Sequence, residues 1–388
     1  MKLFNPFKQL VQQLKYTRYD LQRISRLVND PKLSRSYFPE ATRKSKRAIW
    51  RENLRWLVQH KEVNRYYYVY GQDRKNIDAE KEVLPYRAFR IIRNSTNLHP
   101  NVQGFNYVCL LRDKFIFAQL LSSLHFPTPK NKALLNKDGV TWLDTMTRMP
   151  LASLATDPQL CVDGFCKKLT GIMGEGAFPL TINNGKIESR DKEISPDDLK
   201  EKLSGEYLLQ ERIVQHPTMS SLHLQSVNTI RMITFNNAGA VSVFCATLRI
   251  GAGGRSVDNW ASGGIVVGID LETGTLRQEG FFKPGYGGRI SKHPDSNILF
   301  EGFAIPFFKE SIAMACQLHN YLYGIHSVGW DIAITPEGPV FIEGNDDWEG
   351  GIPMSLEKDF KSRFLAMFPN RGADVNVRGA KTVRTEDQ

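Results

Sequence analysis

The chain has 388 residues, 41% hydrophobic and 24% charged, with 51 Lys and Arg against 41 Asp and Glu. That is long enough for two or three lobes with cores of their own, and the mix is that of an ordinary globular protein. No stretch is apolar for the about 20 residues a membrane-spanning helix needs, and the N-terminus lacks the apolar core and cleavage site of a secretory leader.

Five cysteines, Cys109, Cys161, Cys166, Cys245 and Cys316, are scattered with no Cys-x-x-Cys pair. Free thiols in a reducing compartment are the simplest account, so a cytoplasmic protein is expected. The basic excess is uneven. Residues 1–100 hold 22 Lys and Arg against 9 Asp and Glu, leaving 29 against 32 for the rest. Two readings stand: a patch facing anionic lipid, a polyanionic glycan or nucleic acid, or a solvated helical face balanced by acidic neighbours. No nucleic-acid motif of defined spacing accompanies it, so no specific nucleic acid is expected.

Residues 1–104 read as a basic, mainly helical region. Phe4, Phe7, Leu10, Val11 and Leu14 recur at helical spacing, and Arg43 to His60 sets Ile49, Trp50, Leu54, Trp56, Leu57 and Val58 among Arg and Lys. Tyr66, Tyr67 and Tyr68 follow; they could stack on bases or sugars, but a staple buried against the main domain is the commoner use. Residues 105–159 open a new segment. Asp113-Lys114 starts an amphipathic helix through Phe117, Leu120, Leu121 and Leu124, stopped by Phe126-Pro127-Thr128-Pro129.

Residues 160–212 turn to strands and glycine. Phe165 to Lys168 is strand-like, Asn183-Asn184-Gly185-Lys186 is a hairpin turn, and Tyr207 to Val214 is an apolar strand. Residues 213–370 hold long strands with tight turns: Val227 to Phe235 into Val241 to Ile250, then Ile265 to Ile269. A helix over Pro306 to Tyr321 precedes a last hairpin. Residues 371–388 are polar and expected to fray.

That last hairpin is the most informative stretch. Asp331 to Thr335 and Val340 to Asn345 alternate around Pro336-Glu337-Gly338-Pro339. Folding it sets Asp331 within about one register step of Glu343, with Asn345 on the face of Glu343. Two carboxylates and an amide oxygen from rigid strands make an all-oxygen site suited to Mg²⁺, and Gly344 leaves room for close approach. Arg231 and Arg249 lie on neighbouring strands among apolar residues. Each needs an anionic partner, either a structural carboxylate or transferring phosphate oxygens. Lys167 stands before the glycine run Thr170 to Gly176, where Gly174 and its neighbours could turn backbone N–H groups toward phosphate. In the loop Gly251 to Gly264, Asn259 is singled out as an orienter of substrate or metal. The eight histidines show no short ligand spacing around His216, His223, His319 or His326, so no zinc site is expected. A Walker-type loop and a serine nucleophile motif are both missing.

The pattern Asp331-x-Ala333-x-Thr335-x-x-Gly338-Pro339-x-x-x-Glu343-x-Asn345 resembles the metal-binding end of ATP-grasp enzymes. Ser226 to Arg231, Thr247 to Gly251 and Val257 to Asn259 resemble one branch, the sugar-transfer-associated ATP-grasp proteins (hexapeptide transferase-like and glutamate ligase-like proteins), over roughly residues 105 to 350. The resemblance implies an α+β ATP-grasp fold, two α/β lobes clasping ATP, following the helical N-terminal region. Residues 105–159 would then precede the nucleotide lobes, 160–212 form the small lobe and 213–370 the large one. It also implies Mg²⁺ on Asp331, Glu343 and Asn345, phosphate contacts from Lys114 and Lys167, and adenine contacts from Gln210 and Glu211 on the hinge strand. Lys168 departs from the pattern, which has proline there. The implied activity is an ATP-dependent carboxylate–amine ligase working through an acyl-phosphate, with Arg231, Arg249 and Asn259 serving catalysis. Its partners would be a carboxylate-bearing small molecule or sugar and an amine, near polysaccharide assembly. A hydroxyl kinase and a non-catalytic ATP-binding module are the alternatives.

Overall fold

The computed structural model describes residues 6–75, 77, 82–97, 107–171, 174, 176–190, 192–255, 257–322, 324–351, 356–357 and 359–368, with backbone alone for 6–17. The expected frayed tail at 371–388, the boundary at 105, Phe4 and part of the glycine run lie outside the described residues. The chain divides into two compact units: residues 1–95, 281–290 and 349–388 in one, 96–280 and 291–348 in the other.

The smaller unit is built from helices α1 (Pro6–Asn29), α2 (Lys46–His60) and most of α3 (Tyr86–Asn97). Ser45 caps α2 by accepting from the Ala48 N–H, and Lys61, in the left-handed region, ends it. Tyr66, Tyr67 and Tyr68 are buried within this unit. Tyr66 packs edge-on to Tyr86, Tyr67 donates to Glu52 at 2.6 Å, and Arg43 lies over Tyr68. Tyr86 donates to Glu349 at 2.6 Å. Several basic residues of this unit are spent internally: Arg43 on Asp73, Lys44 on Glu52, Arg289 on Glu40, and Arg74 over the Phe38 ring.

In the larger unit the helix started by Asp113 is α5 (Lys114–Ser123), after the short turn α4 (Cys109–Arg112). The Asp113 carboxylate accepts from the Phe115 and Ile116 N–H groups at 2.9 Å each, which fixes where the helix, and so Lys114, begins. An eight-stranded antiparallel sheet follows: β1 (Asn131–Asn136), β2 (Gly139–Trp142), β3 (Arg148–Met149), β4 (Val162–Lys168), β5 (Phe178–Asn183), β6 (Lys186–Ser189), β7 (Lys192–Ile194) and β8 (Tyr207–Glu211). Its order is β3-β2-β1-β8-β4-β5-β6-β7. Asn184 and Gly185 both take positive φ, as a two-residue turn between twisted strands requires. Ala133, Leu135, Cys166, Leu180, Ile182, Ile187 and Leu209 fill one face, closed by Leu199 of α6 (Pro196–Lys202).

The second sheet places β9 (Thr229–Asn237), β10 (Ala240–Ile250), β11 (Ile265–Ile269) and β12 (Leu276–Phe282) beside the closing hairpin β14 (Ser327–Thr335) and β15 (Gly338–Asn345). The order is β12-β11-β10-β9-β14-β15, with the short α7 (Pro217–Leu222) leading in and β13 (Arg289–Ile290) lying in the smaller unit. Helix α8 (Phe308–Tyr321) packs on β9 and β10 through Met314, Ala315, Leu318 and His319. Within that layer the Thr234 hydroxyl accepts from Trp330 Nε1 at 2.8 Å and meets His319 Nδ1 at 2.7 Å, so the buried polar groups are satisfied. Helix α9 (Phe360–Ala366) returns to the smaller unit, stacking Phe364 on Phe89 with ring centroids 4.9 Å apart.

Candidate active site

Strand β14 is flanked on both sides, and its neighbours set Asp331 opposite Arg231 of β9 and opposite Glu343 of β15. Directly opposed residues share a face of the sheet, so the three side chains form one row across three strands. The register depends on a bulge. Thr335 pairs with Gly338 across the two-residue turn, and that count continued unbroken would put Asp331 opposite Ile342. A shift between Asp331 and Ile332, where Ile332 pairs with Phe341, makes Ile342 the extra residue and brings Glu343 round to Asp331. Bulges commonly re-aim side chains in this way at functional sites.

Asp331 is 1% exposed. Its carboxylate accepts from Arg231 Nε at 2.6 Å and Nη2 at 3.0 Å, and Arg249 Nη2 lies 2.9 Å from Oδ2. Burial by itself would raise this carboxyl; Arg231 and then Arg249 outweigh it and hold the group well below the usual carboxylate range. Arg249 also donates to the Thr229 hydroxyl and stands 3.6 Å from Asp258, whose carboxylate accepts from the Thr229 N–H and, through a short bond, from its hydroxyl. Burial raises Asp258 against the pull of Arg249. Both arginines therefore have structural carboxylate partners, and the same guanidinium forks face a row that includes Glu343.

Glu343 behaves oppositely to Asp331. Loss of solvent and the charge of Asp331 both push its carboxyl above the ordinary range. Asn345 Nδ2 donates to Glu343 Oε1 and to the Gly329 carbonyl, each at 3.3 Å. Lys114 Nζ stands 3.8 Å from Glu343 Oε2 and donates to the Gly171 carbonyl at 2.5 Å, tying the start of α5 to the glycine run. Lys167, at the end of β4, has its pKa lowered to about 8: burial is the main cause, Glu343 and Asp331 oppose it, and Lys114 adds to it. Four basic side chains thus surround two acids, with a third acid behind Arg249.

The remaining predicted residues sit outside this hydrogen-bonded set. Gln210 is buried and its amide donates to Asn131 Oδ1 at 2.9 Å, while Glu211 is exposed and 3.9 Å from Lys132. Asn259 accepts from the Ala261 N–H and caps a turn. Gly174 has positive φ and open space where a side chain would begin. Gly344 has a different reason from the one expected. A Cβ there would lie 2.8 Å from Trp330 and 2.9 Å from Leu111, so the missing side chain makes room for core packing. Sequence reading placed Asp258 in the polar loop without seeing it as the partner behind Arg249, and it passed over Arg112, which grips Asp346 at 3.1 and 2.7 Å just beyond Asn345. The second pair was hidden because its members are more than two hundred residues apart in the chain. A recess of about 400 Å³ lined by Phe126, Pro127, Met314 and Pro339 lies at the turn end of the hairpin, away from the charged row.

Comparison with known proteins sets this geometry in a family. The family described as sugar-transfer associated ATP-grasp matches residues 93–364. No curated protein matches the chain. Among solved structures, D-alanyl-alanine synthetase A from Vibrio cholerae aligns at 9% identity and a TM-score of 0.38, over 68% of this chain and 65% of its own. L-amino acid ligase from Bacillus licheniformis aligns at 12% identity and 0.34, over 64% and 43%. The biotin carboxylase domain of 2-oxoglutarate carboxylase from Hydrogenobacter thermophilus, in complex with MgADP, aligns at 12% and 0.35, over 63% and 42%. The chain thus spans between about two-fifths and two-thirds of the length of these solved chains. With the family matched over most of its length, this chain belongs to the sugar-transfer associated ATP-grasp family.

Proposed function

We propose that the protein is an ATP- and Mg²⁺-dependent carboxylate–amine ligase, acting on a sugar- or peptide-like carboxylate in the assembly of a polysaccharide or sugar conjugate. The observation that carries this reading is the row Arg231–Asp331–Glu343 with Arg249, Lys114 and Lys167 gathered around it. An excess of fixed cations beside two acids suits a polyphosphate and its metal better than it suits a neutral ligand.

The donor set fits Mg²⁺. Every candidate ligand atom is a hard oxygen, from Asp331, Glu343 and the Asn345 amide. Burial and the Asp331 charge both disfavour ionised Glu343, and a divalent cation would offset that cost. When bound, Mg²⁺ supplies charge neutralisation to phosphate oxygens. The chain's own residues do the rest. Lys114 and Lys167 hold phosphate oxygens as point charges, and Lys114 also fixes the glycine run through Gly171. Arg231 and Arg249, oriented by Asp331 and Thr229, present preorganised forks to charge developing during phosphoryl transfer. The substrate carboxylate attacks the γ-phosphorus of ATP, ADP leaves, and an amine then displaces phosphate from the acyl-phosphate to form an amide. The partners on this reading are a carboxylate-bearing sugar or small molecule and an amine.

The test is a product analysis. Purified protein with MgATP is incubated with uronic acids paired with amino acids, and ADP, phosphate and product mass are followed. The expected result is ADP and phosphate in equal amounts with an amide product, lost in Glu343→Gln. A stable phosphate ester without free phosphate would replace the ligase with a hydroxyl kinase. MgATP binding without turnover on any pair, with biological activity intact in Glu343→Gln, would leave a binding module.

A further inference from the structure

A buried histidine meets a second one and a neighbouring aspartate, seventy residues further along the chain, beside the loop that follows β10. His223 lies just after α7 and His293 just after β13; they are 3% and 0% exposed. Their ring centroids are 5.7 Å apart, and the ligating atoms of His223, His293 and Asp295 all lie within 4.8 Å of one another. His223 Nε2 is 2.9 Å from the Arg255 carbonyl and His293 Nε2 is 2.8 Å from the Gly251 carbonyl. A carbonyl only accepts, so both rings carry a proton on Nε2.

For neutral rings that assignment leaves Nδ1 with a lone pair on each. His223 Nδ1 faces Asp295 Oδ2 at 3.4 Å, so an imidazole nitrogen and a carboxylate oxygen are aimed at the same space. His293 Nδ1 accepts from the Asp295 and Ser296 N–H groups at 3.3 and 3.4 Å, both long for hydrogen bonds. One nitrogen of each ring and an Asp295 carboxylate oxygen lie within 4.8 Å of one another, and ring N–H groups donating to backbone carbonyls are the usual outer support of metal-ligating histidines. The Asp295 side chain, 41% exposed, gives access from solvent.

We propose that His223 Nδ1, His293 Nδ1 and the Asp295 carboxylate form a binding site for a divalent transition-metal ion of the zinc class, with a further position open to water. The donor types, two imidazoles and one carboxylate, favour zinc over magnesium. It shares no ligand with the Asp331–Glu343 row, so it stands whether or not the ligase reading does. Its consequence is a brace. The loop backbone is gripped at the Gly251 and Arg255 carbonyls by the two rings and at the Gly253 N–H by Asp295 at 2.7 Å. Gly251 is needed for this, because a Cβ there would come within 2.5 Å of the His223 ring. The braced stretch joins Arg249 to Asp258.

The experiment uses the full chain, stripped with chelator and titrated with Co²⁺ by visible absorbance and with Zn²⁺ by calorimetry. One equivalent of Co²⁺ is expected, with the strong bands of a low-coordinate nitrogen-ligated site, and Zn²⁺ is expected to displace it. His223→Gln and Asp295→Asn should each weaken Zn²⁺ binding by more than about tenfold, with unchanged circular dichroism. Glu343→Gln should retain the site, separating it from the candidate magnesium ligands. Absence of stoichiometric Zn²⁺ binding, or equal affinity in Asp295→Asn, would overturn the proposal. So would nitrogen NMR showing both His223 ring nitrogens protonated with and without Zn²⁺, since the contact would then be a plain ion pair.

Discussion

Lys167 and Glu343 are the two side chains whose ionisation departs from habit in the direction that matters for an anionic ligand. Glu343 must lose a proton before it can bind a cation, and its carboxyl is pushed up by burial and Asp331. Lys167 must keep its proton to hold phosphate, and burial brings it down to about 8. Affinity for the Mg²⁺ complex of a non-hydrolysable ATP analogue should therefore rise with pH through the range where Glu343 ionises. It should fall above about pH 8, approaching roughly tenfold per pH unit as Lys167 becomes neutral. Calorimetry across that range checks it; Lys167→Met should bind more weakly throughout and lose the alkaline fall. The arginines give a second prediction. Removing the sole partner of a buried charge costs about 3–5 kcal/mol; Asp331 would keep Arg249, so loss of Arg231 costs less than that. Arg231→Met should thus lower thermal stability as well as activity, whereas Arg231→Lys should keep most of the stability and lose activity, since a point charge cannot reproduce the fork on Asp331. Equal stability of Arg231→Met and the parent would contradict this account.

At the scale of elements, the closing hairpin does two jobs with one irregularity. The bulge that inserts Ile342 sets Glu343 in the row of Asp331, while Trp330, Phe341 and Gly344 keep the pair packed beneath α5 and α8. Gly344→Ala would press a methyl into Trp330 and Leu111, both fully enclosed, at a cost of about 1–3 kcal/mol. A lowered melting temperature is expected, together with weaker metal–nucleotide binding, because Glu343 and Asn345 flank the strained residue. A variant as stable as the parent would show that the hairpin yields at no cost. Elements whose cause is local were legible beforehand. Asp113 caps α5, Asn184-Gly185 turns β5 into β6, and Ile265–Ile269 is a strand as read. The bulge was not legible, because strand alternation by itself predicts an unbroken count from the turn.

For the whole molecule, ligand binding and folding are linked. Whatever binds the native state alone stabilises it, by about 2.7 kcal/mol at a hundredfold excess over its dissociation constant. MgADP at that excess should raise the melting temperature of the parent and leave that of Glu343→Gln nearly unmoved; a similar rise in both would remove Glu343 from the site. Among the described residues no helix is long and apolar enough to cross a membrane. The basic excess of the first hundred residues is partly consumed inside the smaller unit, in pairs such as Arg43–Asp73 and Lys44–Glu52.

The amino-acid sequence by itself determined the family and the residue types of the site, because both reside in short runs whose spacing is set by strand periodicity and turn chemistry. Asp331, Glu343 and Asn345 lie within one hairpin, so their proximity is a local property. Tertiary structure decided the rest. Only packing could put Arg231 and Arg249 on Asp331, commit Gln210 to Asn131, spend the space at Gly344 on Leu111, and bring His223 to His293 and Asp295. Those contacts join residues tens to hundreds of positions apart, and chain separation carries no information about which distant side chains a folded sheet will bring face to face.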